Sequence, residues 1–92
     1  MAKIIVFEHI NFDGRALIFN AADTDLVNNS NWNDRISSVI VVDGLWELYQ
    51  HNNFGGADWL VSPDGGPTGD GLYPNWSGWA GTNDSISSLK PV

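Results

Sequence analysis

The chain has 92 residues, with 4 basic and 11 acidic side chains, a formal net charge of −7 and no cysteine. A chain of this size builds one core. Its acidity argues against nucleic acid and anionic membrane surfaces as partners, and without cysteine it can form neither disulfides nor thiolate metal sites. Asn, Asp, Ser, Gly and Trp are common while Ala, Leu, Glu and Lys are scarce, which favours turns and strands over helices. No window approaches the roughly 18 apolar residues of a membrane span. The opening apolar run, Ile4 to Phe7, is shorter than a secretory h-region. Localisation is not legible in these residues, which are compatible with a module of a secreted protein.

The first predicted strand is IIVFEH, residues 4–9. A tight hairpin follows, whose Gly14 permits positive φ, and ALIFN, residues 16–20, returns as a second strand. A turn-rich stretch leads to NDRISS, residues 33–38, and the strand ISSVIVV, residues 36–42. Short helical turns are expected near DTDLVNN and PNWSGW. Asp43-Gly44 marks a sharp turn.

The pattern then starts again. YQHNNFGG, residues 49–56, lines up with FEHINFDG, residues 7–14, at an offset of 42. NDSISS, residues 83–88, lines up with NDRISS at an offset of 50. The second copy therefore has LWELYQH, DWLV and ISSLK as strands and eight extra residues, placed in the Gly/Pro-rich SPDGGPTGDG. Two such units, about 3–43 and 44–92 of a single 1–92 domain, predict two Greek keys packed as an all-β sandwich. Alternation places Ile4, Val6, Val39, Val41, Trp46 and Leu48 on the inner faces.

The repeated Asn-Asp and Ser-Ser pairs carry chemistry. Asp, Asn and Ser offer hard oxygens, the donors that Ca²⁺ coordinates, and neither motif contains a His or Cys for zinc or copper. Adjacent strand side chains point to opposite faces. One serine of each pair can thus face a cation at the sheet end while the other hydrogen-bonds inward to a folded hairpin. Strand entry after an Asx turn also accounts for an Asn-Asp pair, but poorly for a repeated Ser-Ser. SPDGGPTGDG lacks the ligand spacing of an EF-hand or a calcium β-roll.

These residues resemble the βγ-crystallins, in particular the single-domain microbial kind. The resemblance rests on the aromatic–x₆–Gly hairpins FEHINFDG and YQHNNFGG and on the motif [ND]-[ND]-x-x-[ST]-S, met by both NDRISS and NDSISS. It covers essentially the whole chain. It implies two Ca²⁺ ions at one end of the sandwich, each site drawing on both Greek keys. Carried over, Asp34 and Asp84 are ligands, Ser37 and Ser87 offer hydroxyls, and Asn33 and Asn83 order the loop or ligate. The backbone carbonyls of Glu8, Gln50, Arg35 and Ser85 complete the candidate set, and Ser38 and Ser88 match the inward serines. Arg35 is a departure, because its charge beside an ion weakens that site unless it pairs with an acid. Few carboxylates among many neutral oxygens imply affinities of roughly micromolar to millimolar.

Other readings are thinner. His9 and His51 occupy equivalent positions but lack a third zinc ligand. No nucleophile motif is present, and a two-key sandwich offers little cleft for paired carboxylates, so no enzyme activity is expected. The rival function is carbohydrate binding, with Trp76 and Trp79 of a turn-rich loop stacking on sugar rings. Against it, Trp32, Trp59, Trp76 and Trp79 can instead fill the core and shield loop edges. No oligomer interface is evident, and a monomer is expected.

Overall fold

The computed structural model of the chain describes residues 2–22, 36–75 and 86–92. It contains β1 (Lys3–His9), a 3₁₀ turn (Ile10–Phe12), β2 (Asp13–Phe19), β3 (Ser38–Asp43), β4 (Trp46–His51), a second 3₁₀ turn (Asn52–Phe54), β5 (Gly55–Val61), β6 (Leu72–Tyr73) and β7 (Ser88–Pro91). All described pairings are antiparallel. The strands form a four-stranded sheet, β2-β1-β3-β6, and a three-stranded sheet, β5-β4-β7. The all-β sandwich expected from the repeats is therefore present, and no helix among the described residues is long and apolar enough to cross a membrane.

Three details differ from the sequence reading. First, β6 belongs to the second half of the chain but pairs with β3 of the first, Val39 opposite Tyr73 and Ile40 opposite Leu72. The second half thus lends a strand to the sheet of the first. Second, β2 and β5 begin at Asp13 and Gly55, directly after the turn. Third, each hairpin tip is more than a glycine turn: Asn11, Phe12, Asn53 and Phe54 all have positive φ, between 55° and 59°, and so do Gly14 (79°) and Gly56 (75°). Residues 23–29 and most of 74–79, where helical turns are expected, lie outside the described residues.

The core sits between the sheets. Ile4, Val6, Val39, Trp46 and Leu48 are fully buried and Val41 is nearly so, as alternation predicts. Ile36 and Ile86, equivalent in the two copies, join them just before β3 and β7, and Val61, Leu89 and Tyr73 complete the cluster. Burying each such side chain contributes about 1.5–3 kcal/mol. Trp46 keeps its indole N–H satisfied by donating to the Asp43 carbonyl at 3.1 Å, so its burial carries no orphan donor. Trp59 is half-buried and packs against the cluster.

The outer face of the three-stranded sheet is charged. Glu47 lies opposite Leu60 on one side and Lys90 on the other, and Tyr49 Oη donates to Glu47 Oε2 at 3.1 Å. A hydrogen bond shared with the Asp58 carboxyl, aided by desolvation, raises the Glu47 pKa above the ordinary glutamate value. A raised carboxyl pKa means that the folded chain holds the proton more tightly than the unfolded one. Its stabilising effect is full below the unfolded pKa and is lost as pH rises through the folded one. Melting curves between pH 4 and 7 should therefore show this contribution fading toward neutral pH. The Glu47→Gln variant should flatten that dependence; an unchanged profile would refute the shared proton.

Candidate calcium site

The two Ser-Ser pairs sit where β3 and β7 begin, and the structure splits their tasks. Ser38 Oγ donates to the His9 carbonyl at 2.6 Å and accepts the Phe12 N–H at 3.1 Å. Ser88 Oγ donates to the His51 carbonyl at 2.6 Å and accepts the Phe54 N–H at 3.1 Å. Both serines are fully buried. Each holds a hairpin tip folded back over its sheet, so the left-handed backbone of Phe12 and Phe54 is anchored by a residue 26 or 34 positions away. The folded tips also stack aromatic rings, Phe7 on Phe12 at 5.5 Å between centroids and Tyr49 on Phe54 at 5.3 Å. Lys90 Nζ lies 5.0 Å from the Phe54 ring centroid, which adds a cation–π contact.

Ser37 and Ser87 stand one residue earlier. The Ser37 N–H donates to the Phe7 carbonyl at 2.9 Å, and the Ser87 N–H to the Tyr49 carbonyl at 2.9 Å. The ladders begin only at Ser38 opposite Phe7 and Ser88 opposite Tyr49, so Ser37 and Ser87, both buried, stand just before them, at the ends of the sheets where Glu8 and Gln50 continue β1 and β4. Four of the ten sequence-predicted site residues are therefore described, and they fall into two equivalent pairs at the sheet ends. Asn33, Asp34, Arg35, Asn83, Asp84 and Ser85 lie outside the described residues, as do Trp32, Trp76 and Trp79.

One contact joins the two halves at this end. The Asn11 N–H, at the tip of the first hairpin, donates to the Pro74 carbonyl at 2.7 Å. Pro74 follows β6 and leads toward the second motif, so the pairing of β6 with β3 draws the second copy's chain against the first copy's hairpin. Composition and spacing give no signal for this contact, because β6 is two residues long and pairs out of chain order.

The two pairs differ electrically. The Glu8 carboxylate is bridged by Arg15 Nη2 at 3.2 Å and lies 3.6 Å from His9 Nε2. At the equivalent place in the second copy, Gln50 Oε1 accepts the Ala57 N–H at 3.4 Å. A charged pair in one copy is thus replaced by a neutral hydrogen bond in the other.

Two antiparallel sheets, one of them receiving a strand from the other half of the chain, with serine-anchored hairpins repeated in both halves, define a two-Greek-key sandwich. The family model for Beta/Gamma crystallin matches residues 3–92, and the chain belongs to that family. A Beta/gamma-crystallin of Ciona intestinalis is 37% identical over 90 residues, covering 98% of each chain. The solved structure of a Ciona intestinalis βγ-crystallin superposes with a TM-score of 0.86 at 34% identity, covering 98% of this chain and 99% of that one. A βγ-crystallin from an archaeon superposes with a TM-score of 0.83 at 32% identity, covering 99% and 98%. Against the longer Beta-crystallin B1 of Sus scrofa, at 30% identity, 98% of this chain spans 33% of the relative.

Proposed function

We propose that this domain is a structural module stabilised by two Ca²⁺ ions, one associated with each NDxISS motif, and that it performs no catalysis. The carrying observation is the division of labour within each Ser-Ser pair. Ser38 and Ser88 hold the hairpins, while Ser37 and Ser87, also buried, stand one residue before the ladders at the same ends of the sheets. The donor chemistry fits a hard cation. The residues that would hold it offer hydroxyl and carbonyl oxygens, with Asp34 and Asp84 supplying carboxylates and Asn33, Asn83, Arg35 and Ser85 belonging to the same two loops. A ligand set rich in neutral oxygens, with neither His nor Cys in the two motifs, suits Ca²⁺ better than zinc. The Asn11–Pro74 bond supports sites that draw on both copies. The ion, when bound, neutralises and orders oxygen-rich loops at the ends of the sheets.

An ion held only by the folded state stabilises it by about 2.7 kcal/mol per site at 100 times the dissociation constant. For a domain this small that is a large fraction of the total. Calorimetric titration of the metal-stripped domain with CaCl₂, with MgCl₂ as control, should show two events. Asp34→Ala and Asp84→Ala should each remove one, and the melting temperature of the parent should rise with Ca²⁺. The Glu8–Arg15 pair and Arg35 stand against a neutral Gln50 and Ser85 in the second copy, so unequal affinities are expected. No heat and no melting shift at millimolar Ca²⁺ would end this reading and leave the motifs as strand-entry structure.

A further inference from the structure

Four aspartates are followed directly by glycine: Asp13-Gly14, Asp43-Gly44, Asp64-Gly65 and Asp70-Gly71. Such a pair can rearrange, because glycine has no Cβ to shield its amide nitrogen from the carboxyl carbon of the preceding side chain. The sequence makes the four alike, and the fold separates them.

At three of the pairs the reacting groups are engaged elsewhere. The Gly65 N–H donates to the Ser62 carbonyl at 3.1 Å and the Gly71 N–H to the Gly65 carbonyl at 2.9 Å, so both amides are turned to backbone oxygens. Asp70 Oδ1 accepts the Thr68 hydroxyl at 2.6 Å and the Leu72 N–H at 3.4 Å. The N-terminal amine bonds the Asp43 carboxylate and holds its pKa below the ordinary value, although the Gly44 N–H also reaches that carboxyl. A carboxylate kept ionised is a poor electrophile, since its oxygen leaves as water only from the protonated acid. Asp13 is placed differently. The Gly14 N–H donates to Asp13 Oδ1 at 2.8 Å, and both residues are exposed to water. The electrophile is the carbon bearing that oxygen, so the two reacting groups are held in the neighbourhood that a near-attack arrangement of roughly 3–3.5 Å requires.

We propose that Asp13 is a site of spontaneous isomerisation to isoaspartate, which proceeds in the folded chain and ahead of the other three pairs. In the first step Gly14 N gives up its proton to water and forms a bond to Asp13 Cγ, and the Cγ–OH bond breaks to release one water. The product is a five-membered succinimide. In the second step a water adds to the main-chain carbonyl carbon of Asp13, and the bond from that carbon to Gly14 N breaks. The peptide then runs through the side chain, a free α-carboxylate is left behind, and the net mass is unchanged. Water is the only co-reactant. The rearranged chain is one carbon longer where Asp13 faces His9, the ladder pair next to the hairpin tip. The tip that Ser38 fastens at His9 and Phe12 has to absorb the extra atom. The second copy carries Gly55 and Gly56 at the equivalent positions, so the hairpin needs no carboxylate there and the second tip is exempt from this chemistry.

Peptide mass spectrometry of chain aged at physiological temperature tests it, with electron-transfer fragmentation to mark isoaspartate by cleavage of its Cα–Cβ bond. Trypsin releases residues 4–15, which contain Asp13-Gly14, apart from residues 36–92, which hold the other three pairs. In the folded chain isoaspartate should build up at least about tenfold faster in 4–15 than in 36–92. In concentrated urea the order should reverse, because the longer peptide has three pairs and no fold to protect them. Asp13→Glu, whose side chain would have to close a six-membered ring, should abolish the signal in 4–15, with melting curves confirming that the variant is folded. Comparable rates in the two peptides of the folded chain, or a faster rate in 36–92, overturn the proposal. So does a signal in 4–15 that persists in Asp13→Glu, which would place the modification at Asn11.

Discussion

Gly71→Ala is expected to destabilise the domain by about 3 kcal/mol or more, far beyond the same change at Gly14. Gly71 closes the Gly/Pro-rich loop at φ +82°, and its N–H donates to the Gly65 carbonyl at 2.9 Å while its carbonyl accepts the Val41 N–H at 2.9 Å. A Cβ built there lies 2.5 Å from the Val41 carbonyl oxygen and 2.9 Å from that of Pro63. Both neighbours are backbone, so neither can rotate away. Left-handed φ adds about 1–2 kcal/mol for an L-residue. Relief requires pulling the loop off β3, and β6 holds that loop through only two ladder pairs. Gly14 shares the positive φ, but its built Cβ meets His9 Cδ2 at 2.5 Å, an exposed ring that can swing aside. Urea unfolding of the two variants should separate them clearly. Equal losses would mean that the β6–β3 pairing tolerates more slack than the geometry shows.

The same contrast explains what could be read in the sequence. Ile4, Val6, Trp46 and Leu48 are legible because a period of two needs only local chain and a buried face. The hairpins are legible because two copies repeat the same aromatic and glycine spacing. The destination of β6 is not: a strand of two residues has no period, and its partner is chosen by packing between halves. Left-handed Phe12 and Phe54 are not legible either, since local preference opposes that backbone and a distant serine and a ring contact override it. Ile36 and Ile86 fall within the predicted strands, where alternation with Val39 and Val41 would turn Ile36 outward, but β3 and β7 begin only at Ser38 and Ser88 and both isoleucines are buried ahead of them. At the candidate site, the bonds of the Ser37 and Ser87 N–H groups to the Phe7 and Tyr49 carbonyls come from strand pairing, and the Glu8–Arg15 bridge follows from the hairpin's closure. Residue types carry the calcium proposal, while the contrast between the copies emerges only from the fold.

Ser38→Ala and Ser88→Ala test the hairpin anchors. Each substitution deletes a fully buried hydroxyl that satisfies one carbonyl and one N–H at a folded tip. An unsatisfied buried group costs about 1–3 kcal/mol, so roughly 2–4 kcal/mol per serine is expected after partial hydration of the tip. In a domain of this size 1 kcal/mol moves the melting temperature by about 4–8 °C, and each variant should melt roughly 10–20 °C lower. The loss extends beyond hydrogen bonds. Without the anchor, Phe12 or Phe54 has no reason to keep its left-handed backbone, and its ring leaves Phe7 or Tyr49. Serine-to-threonine changes keep the hydroxyl and should cost less where the extra methyl can be accommodated. Ser37→Ala is the informative control. Its N–H bond to the Phe7 carbonyl belongs to the backbone and survives the substitution. Under the calcium reading it should weaken the Ca²⁺ titration more than it lowers the melting point of the metal-free chain, whereas Ser38→Ala should do the reverse. If the two variants behave alike in both measurements, the division of labour within the Ser-Ser pair is wrong.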